Sequence, residues 1–202
     1  MFIFSSCFEL IEDLSLNKDG SGNLKVKLNL SASATKIKGV MALDSIDGKA
    51  VPSKNDVRDT LQKYKTALLK QPGISAVKTE IDFEYYIINL SIDFDSLVAL
   101  ENAVESLSKK AQNVKWASWN GSQFQRYGLS MLQPVVDKIK AKDKEKLSEA
   151  TYVSITRFDK EVLKMSNTNA VLAANKKAVM QRFNVLDVIN SPESVKNTIE
   201  VN

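Results

Sequence analysis

Leu24-Lys25-Val26-Lys27-Leu28-Asn29-Leu30 alternates apolar and polar side chains at every step. Successive residues of a strand point to opposite faces, so this register puts four apolar side chains on one side and Lys25, Lys27 and Asn29 on the other. It reads as a half-buried strand. Upstream, Phe8 to Leu16 is apolar and less regular. Asn17-Lys18-Asp19-Gly20-Ser21-Gly22-Asn23 lies between the two, and its Asn, Asp, Gly and Ser content predicts a hairpin turn. The same seven residues imitate the start of a calcium loop. An EF-hand closes on a bidentate Glu at its twelfth position, however, and Leu28 stands there, so the turn is the better reading.

Beyond Leu30, a short helix carrying Ile37, Val40 and Met41 is expected after Ala34, with a turn at Asp47-Gly48. Ser53 with Asp56 three residues on predicts a capped helix whose apolar stripe is Val57, Leu61, Tyr64 and Leu68, ended by Pro72-Gly73. Two alternating strands follow, one through Ile81 and Phe83 and one through Ile88, Leu90, Ile92 and Phe94. Asp95 or Ser96 then caps a helix carrying Leu97, Leu100, Val104 and Leu107. Asn120-Gly121 between Val114–Ser118 and Phe124–Tyr127 predicts a further hairpin. A Lys-rich helix is expected from about Met131 to Leu147, then strands at Tyr152–Phe158, Ala170–Ala173, Ala178–Phe183 and Lys196–Val201, with a helical turn at Val185–Ile189. Hairpin links outnumber crossovers. The expected class is α+β, a largely antiparallel sheet built from hairpins with helices packed on one face.

Composition narrows the function. The 202 residues carry 28 basic and 24 acidic side chains, a net charge of +4 too mild and too mixed to imply nucleic acid. Histidine is absent, which removes the usual general base and the commonest zinc ligand. One cysteine excludes an intrachain disulfide and a thiolate cluster. No metal and no cofactor is expected, and the reading is of a protein that is not an enzyme. Glu80, Asp82 and Glu84 form an acidic row near Asp93 and Asp95. A pair of these would be needed for an enzyme acting on glycans, but a solvated sheet face accounts for the row.

The lone cysteine is the other informative position. Met1-Phe2-Ile3-Phe4-Ser5-Ser6-Cys7 runs from apolar to small residues and into Cys7, the order of a bacterial lipoprotein cleavage site. On this reading residues 1–6 are the remnant of a signal peptide and the reading frame starts upstream. Residues 7–202 form a single α+β domain, with room for two subdomains meeting near 112–130. Cys7 would carry lipid and hold the domain at a bacterial envelope membrane, expected to be the outer membrane on its periplasmic or its surface face. The other reading of Cys7 is a buried free thiol beside the first strand. Trp116, Trp119, Phe124 and Tyr127 cluster around Asn120-Gly121; core packing accounts for them, and an exposed hairpin would make them a partner-binding edge for an envelope protein.

Cys7 followed by Phe8-Glu9 and a strand, the Asn17-x-Asp19-Gly20-Ser21-Gly22 turn, and the segments Asn169-Ala170, Asn175-Lys176-Lys177-Ala178-Val179 and Thr198-Ile199-Glu200-Val201 together carry a resemblance. The chain resembles an uncharacterised cell-envelope lipoprotein of the Bacteroidetes type and is distantly similar to the LppM-like lipoprotein domain, over most of residues 7–202. The resemblance implies an envelope location and a binding or assembly role, with no catalytic residues. A purely structural envelope protein is the third reading. A deep apolar pocket would favour ligand carriage over both alternatives.

Overall fold

The computed structural model describes residues 8–46, 48–107, 115–129, 137, 139 and 144–202. Cys7, the segment ahead of it and most of the expected 131–147 helix lie outside these residues. The described end of that helix, Glu145–Glu149, is a 3-10 turn.

The first hairpin forms as its alternation requires. Strands β1 (Glu9–Leu16) and β2 (Gly22–Asn29) pair antiparallel from Glu9–Asn29 to Leu16–Gly22. Asp19 turns the chain by accepting the amide and hydroxyl of Ser21 at 2.9 and 2.7 Å, which holds its carboxyl below the ordinary range. Gly22 is required where β2 begins, because a Cβ there would meet the Ser15 carbonyl oxygen at 2.0 Å.

Helix α1 (Ala34–Met41) and a two-residue hairpin, β3 (Ser45–Ile46) and β4 (Lys49–Ala50), lead to helix α2 (Lys54–Leu69). Ser53 and Asp56 close a reciprocal capping box at its start. Strands β5 (Ile74–Asp82) and β6 (Ile87–Phe94) extend the sheet beside β2, and Ser96 caps helix α3 (Leu97–Ser106). The turn between α2 and β5 needs Gly73, whose φ is +79° and whose added Cβ would sit 2.6 Å from that of Ala99. Next come β7 (Ala117–Trp119), β8 (Gln123–Arg126), β9 (Thr151–Phe158), β10 (Val162–Met165), β11 (Val171–Leu172), β12 (Ala178–Asn184), helix α4 (Val185–Asn190) and β13 (Asn197–Val201).

These strands make a seven-stranded sheet in the order β11-β12-β9-β1-β2-β6-β5 and a four-stranded sheet in the order β10-β13-β8-β7. The mixed α+β class and the mostly antiparallel sheet are as the sequence predicts. One pair departs from the antiparallel pattern: β1 and β9 run parallel, Glu9 beside Thr151 through Leu16 beside Phe158. Strand β10 and the separation of a second sheet are also findings of the structure. Asp159–Glu161 carries the chain from β9 in the large sheet to β10 in the small one.

Register defines two faces of the large sheet. Lys25, Lys27, Lys78, Glu80, Asn89 and Ser91 share the outer face with the ion pairs Arg157–Asp13 and Arg182–Glu9. The inner face is covered by two different things. The small sheet lies over the β1–β9 side and α2 and α3 over the β2–β6–β5 side, with Leu14, Leu24, Leu68, Leu100, Phe124 and Ile199 in one continuous apolar cluster.

Candidate functional site

Four rows of side chains cross the inner face. The row Val179–Thr156–Leu14–Leu24–Ile92–Val77 is almost wholly apolar. Beside it runs Gln181–Ser154–Glu12–Val26–Leu90–Thr79, polar as far as Glu12, apolar at Val26 and Leu90 and polar again at Thr79. Glu12 therefore occupies a position that the strand's period assigns to the interior.

Above Glu12, Val26 and Leu90 the covering layers part and leave a cavity of about 340 Å³. That is at the small end of the range for small-molecule sites, roughly 300–1,000 Å³. Among the described residues, the sheet lines it with Leu10, Glu12, Leu24, Val26, Leu90, Ile92 and Tyr152. Helices α2 and α3 add Leu68, Leu100, Glu101, Val104, Glu105 and Leu107, and the small-sheet side adds Trp116 and Leu129. Val104 is 44% exposed, which places it where the cavity meets solvent. Glu101 joins helix to sheet by accepting the amides of Trp116 and Ala117 at 2.8 and 2.9 Å.

One end of the cavity is polar. Arg126 on β8 is 4% exposed, and its Nη2 donates to Glu12 Oε2 and to Tyr152 Oη, both at 3.1 Å. The Tyr152 hydroxyl in turn donates to the same Glu12 oxygen at 3.1 Å. Burial raises the Tyr152 hydroxyl far above its ordinary value, and the Glu12 charge adds to this, so it stays protonated as a donor. The guanidinium stacks over the Trp116 ring at 4.2 Å. Among the described residues, its Nε and Nη1 have no hydrogen-bond partner. Gln181 Nε2 on the Glu12 row and Asn197 Nδ2, on the strand neighbour of Arg126, are likewise buried and unpartnered.

The aromatic cluster read from the sequence is divided by the fold. Trp116 lines the cavity. Trp119 stacks on Phe158 at 5.7 Å and donates its Nε1 to the Lys18 carbonyl at 3.1 Å. Phe124 is 1% exposed and presents no ring surface to a partner, because β8 turns it into the core against Phe158. The Tyr127 hydroxyl lies 3.0 Å from that of Ser118, and Lys115 sits over the ring at 5.5 Å. Cys7 lies outside the described residues.

The acidic row does not converge on a site. Asp82 is spent on its turn, accepting the amides of Glu84 and Tyr85 at 2.7 and 3.0 Å, and Asp93 accepts from Asn23. Among the described residues there is no group of three acidic or sulfur ligands placed to hold a metal ion, and no helix long and apolar enough to cross a membrane. Sequence reasoning passes over Glu12 and puts Arg126 on an exposed strand face, whereas Arg126 is 4% exposed. The signal that finds both is a charged residue at a position whose strand neighbours at i±2 face the core.

No family model matches the chain, and no curated protein matches it. Among solved structures, the chain is similar to the folded domain of the Mycobacterium tuberculosis LppM protein, determined by NMR, at 9% identity and a TM-score of 0.46. The alignment covers 100% of this chain and 93% of that one. So loose a likeness says nothing about ligand or chemistry.

Proposed function

We propose that this domain is a non-enzymatic binding module that takes an apolar ligand into the cavity between the large sheet, α3 and Trp116. The cavity carries the reading: water is a poor occupant of a space walled by Leu10, Val26, Leu90, Ile92, Leu100 and Val104, and an apolar ligand recovers the contacts that the walls lack. Two of the carboxylates in its lining are committed to structure, Glu12 to Arg126 and Glu101 to two backbone amides. The address belongs to the same proposal and rests on the Phe4-Ser5-Ser6-Cys7 sequence: lipid on Cys7 holds the domain at a bacterial envelope membrane, where apolar ligands are concentrated.

Two measurements test the two parts. Titration with the apolar fluorophore N-phenyl-1-naphthylamine is expected to show one saturable site, lost when Val26→Phe fills the cavity. A wild-type protein that leaves the fluorophore dark would overturn the binding reading. Alkynyl fatty-acid labelling in the native cell is expected to mark the full reading frame and not its Cys7→Ser form. Equal labelling, or none, would overturn the anchor and leave the binding reading standing.

A further inference from the structure

Resting on that reading of the cavity, we infer that its ligand is an uncharged amphiphile whose hydrogen-bond acceptor, a hydroxyl or an ester or amide carbonyl, is placed at the polar end by Arg126. The first ground is satisfaction. A guanidinium offers five N–H donors in a fixed fork, and this one, 4% exposed, has a single nitrogen engaged. A buried donor without an acceptor is costly, and more so on a charged group.

The second ground is position. Arg126 stands one side chain behind the cavity wall, and each group it touches, Glu12, Tyr152 and Trp116, lines the cavity. An acceptor entering between the indole and the Glu12–Tyr152 pair comes within reach of the fork, while the chain behind it lies along Val26 and Leu90.

The third ground is charge, and it selects the headgroup. Glu12 already neutralises Arg126, and Glu101 adds a further carboxylate to the lining. A carboxylate or phosphate headgroup would bring another negative charge among them in a poorly solvated space. A quaternary ammonium would meet the carboxylates but offers nothing to the free donors. A neutral acceptor satisfies the fork without adding charge.

Competition against N-phenyl-1-naphthylamine on the wild-type protein tests this, with 1-decanol, decanoate and decyltrimethylammonium sharing one chain length. Decanol is expected to displace the fluorophore at about one-tenth the concentration that either ion needs, the scale of one hydrogen bond to a charged group. In Arg126→Lys, which keeps a cation but loses the fork, that preference should fall below about threefold once each variant's own fluorophore affinity is taken into account. Equal or stronger displacement by decanoate or by the ammonium, or an unchanged preference in Arg126→Lys, would overturn the inference while leaving the cavity reading intact. A fluorophore that fails to bind wild type sinks the cavity reading itself. The wild-type protein supplies a readout that does not depend on the variant's folding. The Arg126 Nε–H resonance should shift on adding decanol and saturate at one equivalent, and a resonance that stays in place would contradict the assignment.

Discussion

The two halves of β1 meet the same interior and end differently. Leu14 and Leu16 are 1% and 2% exposed, packed with Phe124 and Phe158 under the small sheet. Leu10 and Glu12, on the same face of the same strand, border a cavity. Strand period alone puts all four inside. The difference comes from the covering layer: aromatic rings fill one half, and among the described residues α3, Trp116 and Leu129 border a cavity over the other. Each half also holds one of the protein's two tryptophans, Trp119 stacked in the filled half and Trp116 at the wall of the open one.

The comparison can be broken by mutation, most severely in the filled half. Phe124→Ala should cost about 4 kcal/mol, the scale for emptying a buried aromatic position, read as a shift in the denaturation midpoint at unchanged slope. Glu12→Ala should cost about 3 kcal/mol, because it leaves the Arg126 cation buried without its counter-ion. Leu90→Ala, which enlarges a space already present, should cost nearer 2 kcal/mol and should weaken binding of the fluorophore. A Leu90→Ala cost equal to that of Phe124→Ala would mean that the two halves are packed alike.

The smallest effect lies outside both halves. Ser53→Ala should destabilise α2 by about 1 kcal/mol. The Asp56 carboxyl is held below its ordinary value of 3.8 by the Ser53 hydrogen bonds. Its stabilising share is therefore present above that value and lost as pH falls through the lowered folded one. The stability difference between wild type and Ser53→Ala should shrink on acidification below about pH 4. A difference constant down to pH 2 would exclude the carboxylate's part in the cap.

Much of the fold was readable from local signals. The Leu24–Leu30 alternation, the Asp19-Gly20 turn, the Ser53 and Ser96 caps and the Asn120-Gly121 hairpin each specify structure through residues a few positions apart, and the elements form where those signals stand. What the sequence hid is set by distant pairings. The parallel contact of Glu9–Leu16 with Thr151–Phe158 joins segments that share no turn. Strand β10 has only four residues and an irregular pairing with β13, too short for a period to show. The cavity is a gap between elements and has no sequence signature. Its polar end did leave one: Glu12 among Leu10, Leu14 and Leu16, and Arg126 two residues from Phe124, each demand a buried partner. Only the fold shows that they satisfy one another.

The two tryptophans allow the central claim, that the open half is a binding site, to be tested in one experiment. Bromine quenches indole emission only at close range, and 10-bromo-1-decanol carries it on an uncharged amphiphile. Trp119→Phe leaves Trp116 as the sole emitter, and Trp116→Phe leaves Trp119. The account predicts saturable quenching of Trp116 and little of Trp119, with the Trp116 quenching abolished when Val26→Phe is added. Equal quenching of both tryptophans, or none of Trp116, would contradict it.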